Sequence, residues 1–446
     1  MEQLSGKQIL VIGAGASGIA AANFCCRRGA RVVLNDARPV DRLSALSTLD
    51  PAVELVLGEH PEALFVAAQL VVVSPGVPLS LPALQAAIRA GVPLWGEIEL
   101  ASRFISAPCI AITGTNGKST TTTLIGNLLR ACGERVFVGG NIGVPLIEAV
   151  GSDYDHLVVE LSSFQLETVE RFHPVISLLL NLTPDHLDRY RVMAEYAAAK
   201  KNLFCNQTAQ DLMVLNADDP LVLELAADCP ARRVLFTSQR ELEQGISFQN
   251  GRIDWRYAGQ RASFDAGELK LRGVHNIENV MAALVPGLIA GYDPDRLWRA
   301  ACEFGGLPHR MELVRCLDGV NWYNDSKGTN LGSVAKSLAG LSGAVTLIAG
   351  GKDKGVDYGE LSPLLARMQP HLVLLGAAAQ RMDDAWRGLC PISRAGSMAE
   401  AVRQARAVTP RGGTVLLSPG CSSFDMFRSF EDRGDCFVRE VMALEA

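Results

Sequence analysis

Residues 109–129, CIAITGTNGKSTTTTLIGNLL, constrain this chain more than any other stretch. Residues 110–113 form a short apolar run of β character that leads into Gly114, Thr115, Asn116, Gly117, Lys118 and Ser119, after which an apolar-periodic helix is expected. Strand, glycine-rich turn and helix in that order describe a phosphate loop. The glycines let backbone N–H groups approach oxyanions, and the helix start adds N–H groups without intrahelical partners. Lys118 brings a positive charge to the outer phosphates, and the Ser119 hydroxyl suits Mg²⁺. The pattern departs from G-x-x-x-x-G-K-[ST] at one place, since Ile112 stands where the first glycine belongs. The alternative is a tight strand-to-helix turn with a solvated lysine.

A chain of 446 residues exceeds one hydrophobic core, so several domains are expected. Its 42 lysines and arginines against 48 acids give a formal charge of -6, with no long basic block. Nucleic acid is therefore not an expected partner, although a few local cations can hold substrate phosphates. The eleven cysteines form no C-x-x-C pair and an odd number cannot all pair internally. Free, mostly buried thiols in a reducing compartment follow. The first residues run into a strand too soon for a secretory signal, and no run reaches the roughly 18 apolar residues of a membrane span. The expectation is a cytoplasmic protein.

Residues 8–12, QILVI, are expected as a buried parallel strand, followed by Gly13, Gly15 and Gly18 in GAGASG, then a small-residue helix. A second strand ends at Asn35 and Asp36. This is the pattern of a dinucleotide-binding opening, with a diphosphate at the helix start and the acid near a ribose or base. The motif selects a diphosphate and leaves both ends of the ligand open; a turn without ligand is the alternative. Another strand runs into the turn Ser74, Pro75, Gly76, and residues 1–96 read as one doubly wound unit.

A second unit opens at the phosphate loop and extends to residue 302. Two of its strands end near Glu160 and Asn181, where open α/β sheets bind ligands, and Glu160 is a candidate metal or water ligand. NLTPDHLDRY places Asp185, His186 and Asp188 just beyond a strand; His186 is either a surface histidine or a metal or phosphate ligand. In the next helix Tyr196 and Lys200 share a face, and the alternative for Lys200 and Lys201 is a solvated flank. Residues 246–274 read as antiparallel hairpins, an insert or edge of the central sheet. Asn276 and Asn279 lie three apart at a helix start, where they either read a base edge or one merely caps the helix. Residues 303–446 form a third α/β unit. A ligand held between such units is the expectation.

Taken together, GTNGKST, VVELSSFQLE, NLTPDHLDRY, HNIEN, GLPHR, NDSKGTN and LSPGCSSFD resemble the Mur ligase family, across all three units and in order. The resemblance is closest to the D-glutamate-adding branch. It implies an α/β protein of three-domain architecture: a Rossmann-like N-terminal domain, a P-loop ATPase-like central domain and a Rossmann-like C-terminal domain. It further implies a cytoplasmic enzyme of peptidoglycan synthesis that couples ATP cleavage to joining UDP-N-acetylmuramoyl-L-alanine with D-glutamate through an acyl phosphate. Two Mg²⁺ ions, replaceable by Mn²⁺, would assist, with no NAD or FAD, and the chain would act as a monomer.

By the same resemblance Gly114, Thr115, Asn116, Gly117, Lys118, Ser119 and Thr120 hold ATP phosphates. Asn276 and Asn279 lie near adenine, Arg310 contacts phosphate, Asp325 the ribose, and Lys327 belongs to the same motif. Ser119 and Glu160 bind one metal, His186 the second, and Lys200 matches the lysine carried as a carbamate. Gly15, Ala16, Ser17, Asp36, Arg38 and Ser74 match the uridine diphosphate cradle. Asn141 contacts the muramoyl nucleotide beside the reacting centre. Thr329, Lys354, Ser423 and Phe430 match the D-glutamate subsite. The competing sibling adds L-alanine; one that adds a diamino acid would carry a DNPR-type motif, which this sequence lacks. Outside the family, a nucleotide-regulated binding protein would use GKS without transfer, and a nicotinamide oxidoreductase would use GAGASG.

Overall fold

The computed structural model describes residues 3–445 except 41, 42, 186–188, 272 and 354. His186, Asp188 and Lys354 therefore lie outside the described residues. The chain forms two compact units, Met1–Phe304 and Gly305–Ala446, the first with two sheets and the second with one.

The first sheet is parallel, in the order Glu54–Leu57, Arg31–Asp36, Gln8–Ile12, Leu70–Val73, Leu94–Gly96. Its central strand shows why the apolar run folds this way. Ile9 and Val11 pack on one face with Ile19 and Phe24, while Leu10 and Ile12 pack on the other with Phe65 and Leu84. A strand covered on both faces needs apolar residues at successive positions. The strand order reverses between Gln8–Ile12 and Leu70–Val73, so the crevice beyond their carboxyl ends is a topological switch point. Both the GAGASG turn and the loop at residues 74–78 leave from those ends.

The second sheet has nine strands. Cys109–Thr113 lies between Ile176–Leu179 and His156–Glu160, all parallel, with Val136–Gly140, Leu212–Asn216 and Arg232–Thr237 outside them. Residues Gly245–Gln249, Arg252–Tyr257 and Gln260–Asp265 extend one edge as the expected hairpins. In the second unit a six-stranded sheet runs Glu312–Leu317, Val320–Asn324, Thr414–Leu417, Val345–Gly350, His371–Leu375, Ile392–Ala395, with only the first strand antiparallel.

Within the first unit, helix Glu97–Ser102 joins the two sheets by buried acids. Glu99 Oε2 accepts from the N–H groups of Glu170, Arg171 and Phe172 at 2.9, 2.9 and 3.0 Å. Glu97 Oε1 accepts from Ile147 N at 2.6 Å. Among the elements outside the sequence expectation are strand Glu54–Leu57 and helix Glu62–Ala67. All eleven cysteines are free thiols, as expected, but only four of them are buried. Among the described residues no helix is long and apolar enough to cross a membrane.

Candidate active site

The phosphate loop leaves the carboxyl end of Cys109–Thr113 and feeds helix Lys118–Ala131. Gly117 caps that helix at φ +84°, and a Cβ there would stand 2.2 Å from Asn279 Oδ1. Glycine is required by both the left-handed backbone and the approach of the asparagine. The loop is braced by the segment after Ile176–Leu179: Asn116 N donates to Asn181 Oδ1 at 2.8 Å, and Thr183 N to Thr115 Oγ1 at 3.0 Å. Lys118 Nζ donates to the Gly114 and Thr115 carbonyls, both at 2.9 Å. Ser119 is buried and Thr120 follows in the first helical turn.

Asn276 and Asn279 belong to helix Val274–Ile289, whose N-cap is Gly273, so neither asparagine caps it. Asn279 Nδ2 donates to Asn276 Oδ1 at 3.5 Å, and Thr121 Oγ1 donates to Asn279 Oδ1 at 3.4 Å. The pair therefore stands at the mouth of the phosphate loop.

Glu160 is 1% exposed at the end of its strand. Its Oε1 accepts from Asn141 Nδ2 at 2.7 Å, its backbone carbonyl accepts from Asn141 N at 2.8 Å, and Oε2 has no partner among the described residues. A buried carboxylate oxygen left so is costly unless a cation satisfies it. Lys200 is equally buried; its Nζ donates to Gly114 O at 2.9 Å and Thr113 Oγ1 at 3.2 Å, and lies 4.7 Å from the Tyr196 ring centroid. Burial first, and then the Lys118 charge, push the Lys200 amine well below its ordinary pKa, with Asp185 and Glu160 opposing. Lys201 points away and pairs with Asp228 at the surface. The residues expected around the transferring phosphate thus converge, His186 lying outside the described residues.

At the first sheet's switch point, helix Ala16–Arg27 starts with the unpaired N–H groups of its first turn beside Gly15. Asp36 spends its carboxylate on the turn itself. Its Oδ2 accepts from Ala14 N at 2.8 Å and Arg38 Nη2 at 2.7 Å, and Oδ1 accepts from Arg38 N and Nε. Burial works against the anion, but these donors outweigh it and hold the pKa at about 2. Arg38 stays half exposed. Ser74 Oγ donates to Gly13 O at 2.9 Å, tying the second loop to the glycine turn.

In the second unit Asp325 is buried; its Oδ2 accepts from Ser337 and Ser418, both at 2.7 Å, and its Oδ1 from Met311 N at 3.3 Å. Burial raises its pKa against those donors and the nearby Arg310. Lys327 Nζ sits 3.7 Å from the Phe430 ring centroid, and Thr329 follows in the same turn. Arg433, which sequence reasoning missed, is buried at 1% exposure; it donates to Ser326 Oγ, Ser326 O and Cys421 O, and so joins that turn to the loop bearing Ser423. Also missed were Glu97, Glu99, Glu167 and Arg189, which hold the two sheets of the first unit together. The only local sign was acids in an otherwise apolar helix, GEIELA.

A phosphate loop on the parallel part of the central sheet, a buried acid and lysine beside it, and a second glycine-rich strand-to-helix turn are the features of a nucleotide-dependent α/β enzyme. Family models agree on the kind: the Mur ligase MurD-like N-terminal domain matches residues 7–96, the Mur ligase middle domain 112–286 and the Mur ligase glutamate ligase domain 309–421. This chain belongs to the Mur ligase family. It is 55% identical to the UDP-N-acetylmuramoylalanine–D-glutamate ligase of Syntrophotalea carbinolica, over 100% of this chain and 99% of the other. It is 50% identical to that of Geobacter metallireducens, over 99% and 98%. Among solved structures, the UDP-N-acetylmuramate-alanine ligase MurC of Thermotoga maritima shares the fold at TM-score 0.59 and 18% identity, covering 98% of this chain and 99% of that one. A pseudomurein peptide ligase type C from Methanothermus fervidus does so at 0.60 and 18%, covering 98% and 100%.

Proposed function

We propose that this chain ligates D-glutamate to UDP-N-acetylmuramoyl-L-alanine at the expense of ATP, giving ADP and phosphate, in the assembly of peptidoglycan precursors. The full-length identity to ligases named for that reaction supports the reading most. In it, residues 1–96 hold the uridine nucleotide, 97–302 the ATP, and 303–446 the amino acid, in a monomer working in the cytoplasm.

The alanine carboxylate is a poor electrophile at neutral pH and must be activated. Its oxygen attacks the γ-phosphorus of ATP; that O–P bond forms as the bond to the departing ADP breaks, leaving an acyl phosphate. Lys118 and the N–H groups of residues 114–119 neutralise charge on the transferring group. The D-glutamate amine then adds to the acyl carbon, loses a proton, and phosphate leaves as the amide forms. Asn141, held by Glu160, positions the muramoyl end. Thr329, Lys354, Ser423 and Phe430 orient the glutamate, and Asn276, Asn279, Arg310, Asp325 and Lys327 the nucleoside side of ATP.

Ser119, Glu160, His186 and Lys200 would hold two Mg²⁺ ions, with Mn²⁺ as a substitute, and the unsatisfied Glu160 oxygen fits a cation. Bound metal supplies further positive charge to the phosphoryl oxygens. Lys200 works as a carbamate: its low pKa supplies the neutral amine, whose nitrogen bonds to CO₂ with loss of one proton to solvent, leaving an anionic oxygen pair where a neutral amine stood near Lys118. Gly15, Ala16, Ser17, Asp36, Arg38 and Ser74 cradle the uridine diphosphate.

Phosphate release from the purified protein, measured across a panel of amino acids with product mass as second readout, tests the assignment. Turnover should require D-glutamate together with the alanyl nucleotide. Equal turnover with L-alanine and the unmodified muramoyl nucleotide would assign the sibling reaction instead.

A further inference from the structure

The seam between the two sheets of the first unit contains a charged group to which neither phosphate chemistry nor the uridine cradle gives work. Arg189 Nη1 donates to Pro75 O at 2.9 Å, and Nη2 to Val77 O at 3.3 Å and Glu167 Oε2 at 2.6 Å. Its guanidinium lies 4.2 Å from the Phe164 ring centroid, and the side chains of Arg189 and Glu167 are 17% and 15% exposed. The carbonyls it holds belong to the loop of residues 74–78, whose other end is fixed by Ser74 on the glycine turn. On the opposite side, Glu167 Oε1 accepts from Tyr190 Oη at 2.6 Å. Tyr190 packs on Tyr196, ring centroids 5.5 Å apart, and Tyr196 Oη bonds Thr115 Oγ1 of the phosphate loop at 3.1 Å. A continuous run of contacts therefore joins the glycine turn to the phosphate loop, with Arg189 as its only charged link across residues 74–78 among the described residues.

We propose that Arg189 is a positioning residue that sets the span between the uridine diphosphate cradle and the phosphate loop, and so the reach of the nucleotide-linked substrate. The inference rests on the substrate assigned above. A long substrate fixed at one end by its diphosphate must deliver its carboxylate to ATP at the other, and an error of about 1 Å in such a span costs on the order of 10²-fold in rate. Arginine suits the position because its planar fork can serve two carbonyls and one carboxylate at once. A lysine ammonium is a point charge that cannot span them. A plain structural bridge would have the same contacts, so the two readings must be separated by ligand length.

Arg189→Lys, Arg189→Ala and Glu167→Gln, compared with the unmodified chain, should bind uridine diphosphate alone within about twofold of its affinity. Their affinity for the complete alanyl nucleotide should fall about tenfold, roughly 1.4 kcal/mol, with kcat reduced and the KM for ATP unchanged. Arg189→Lys is scored if Arg189→Ala fails to fold. Parallel loss of both ligands, or loss of neither, would overturn the proposal. Failure of the unmodified chain to bind either uridine ligand would instead remove the substrate assignment on which it rests.

Discussion

Replacing Glu97 by glutamine should flatten the pH dependence of stability of the first unit. Glu97 is 2% exposed, with Oε2 unpartnered among the described residues, in the helix that joins the two sheets. Burial lifts its pKa from 4.5 to about 7; the Ile147 N–H opposes the rise and Glu148 adds to it. At about 1.4 kcal/mol per pH unit this corresponds to about 3 kcal/mol. The native state binds the proton more tightly than the unfolded chain. The contribution is therefore complete below pH 4.5, declines as the pH rises, and is lost above about 7. Roughly 2.5 kcal/mol of it falls between pH 5 and pH 8. The glutamine variant does not titrate, and its carbonyl can still accept from Ile147. Its buried amide hydrogens bring a constant cost, so the pH slope and not the difference at one pH is diagnostic. Thermal midpoints of both proteins across that range should converge or cross as pH rises, by roughly 5 °C. Parallel curves would refute the assignment of a carboxyl whose pKa burial raises to this position.

Three further outcomes are expected. Lys200→Ala should lose turnover by more than about 10²-fold, beyond what loss of an outer support costs, while still binding ATP. Short carboxylates should restore a fraction, ¹³C-bicarbonate should label only the unmodified protein, and Lys201→Ala should stay within about twofold because its ammonium pairs at the surface. Asp36→Ala removes the acceptor of Ala14 and Arg38; at about 1.5–3 kcal/mol for bonds to a charged group, calorimetry should show uridine diphosphate binding weakened by about tenfold or more, with NAD binding absent throughout. Gly117→Ala imposes about 1–2 kcal/mol of left-handed strain plus a clash with Asn279, so the KM for ATP should rise at least about tenfold while uridine diphosphate affinity holds.

Much of the frame was legible because its signals are local. The apolar runs at 8–12 and 109–113 announce buried parallel strands, and Glu160 and Asn181 stand at the strand ends where open α/β sheets bind ligands. The spacing of Tyr196 and Lys200 placed them on one face, and the structure brings Lys200 Nζ over that ring. Strand Glu54–Leu57 escaped because it is a half-exposed edge without clear alternation, and helix Glu62–Ala67 because six residues are too few to show a period. For Asn276 and Asn279 the capping alternative fell to Gly273, a residue whose left-handed φ no side-chain pattern reveals.

What stayed hidden is long-range satisfaction of buried charge. Glu99 lies some seventy positions from the three N–H groups it receives, and Arg189 more than a hundred from the carbonyls it holds. Nothing in a local window distinguishes such residues from solvated ones. Asp36 shows the same limit beside the GAGASG turn. Its place at the end of the second strand points to a ligand, yet both carboxylate oxygens are committed to Ala14 and Arg38. Under the proposed function the acid would act on a nucleotide only through the backbone it shapes and the guanidinium it orients. Motif spacing gives the position at which charge is needed, whereas the division of that charge between ligand and scaffold is decided by folded neighbours. This is why Asp36→Ala should weaken every uridine ligand alike, short or long, whereas Arg189→Lys should discriminate between them.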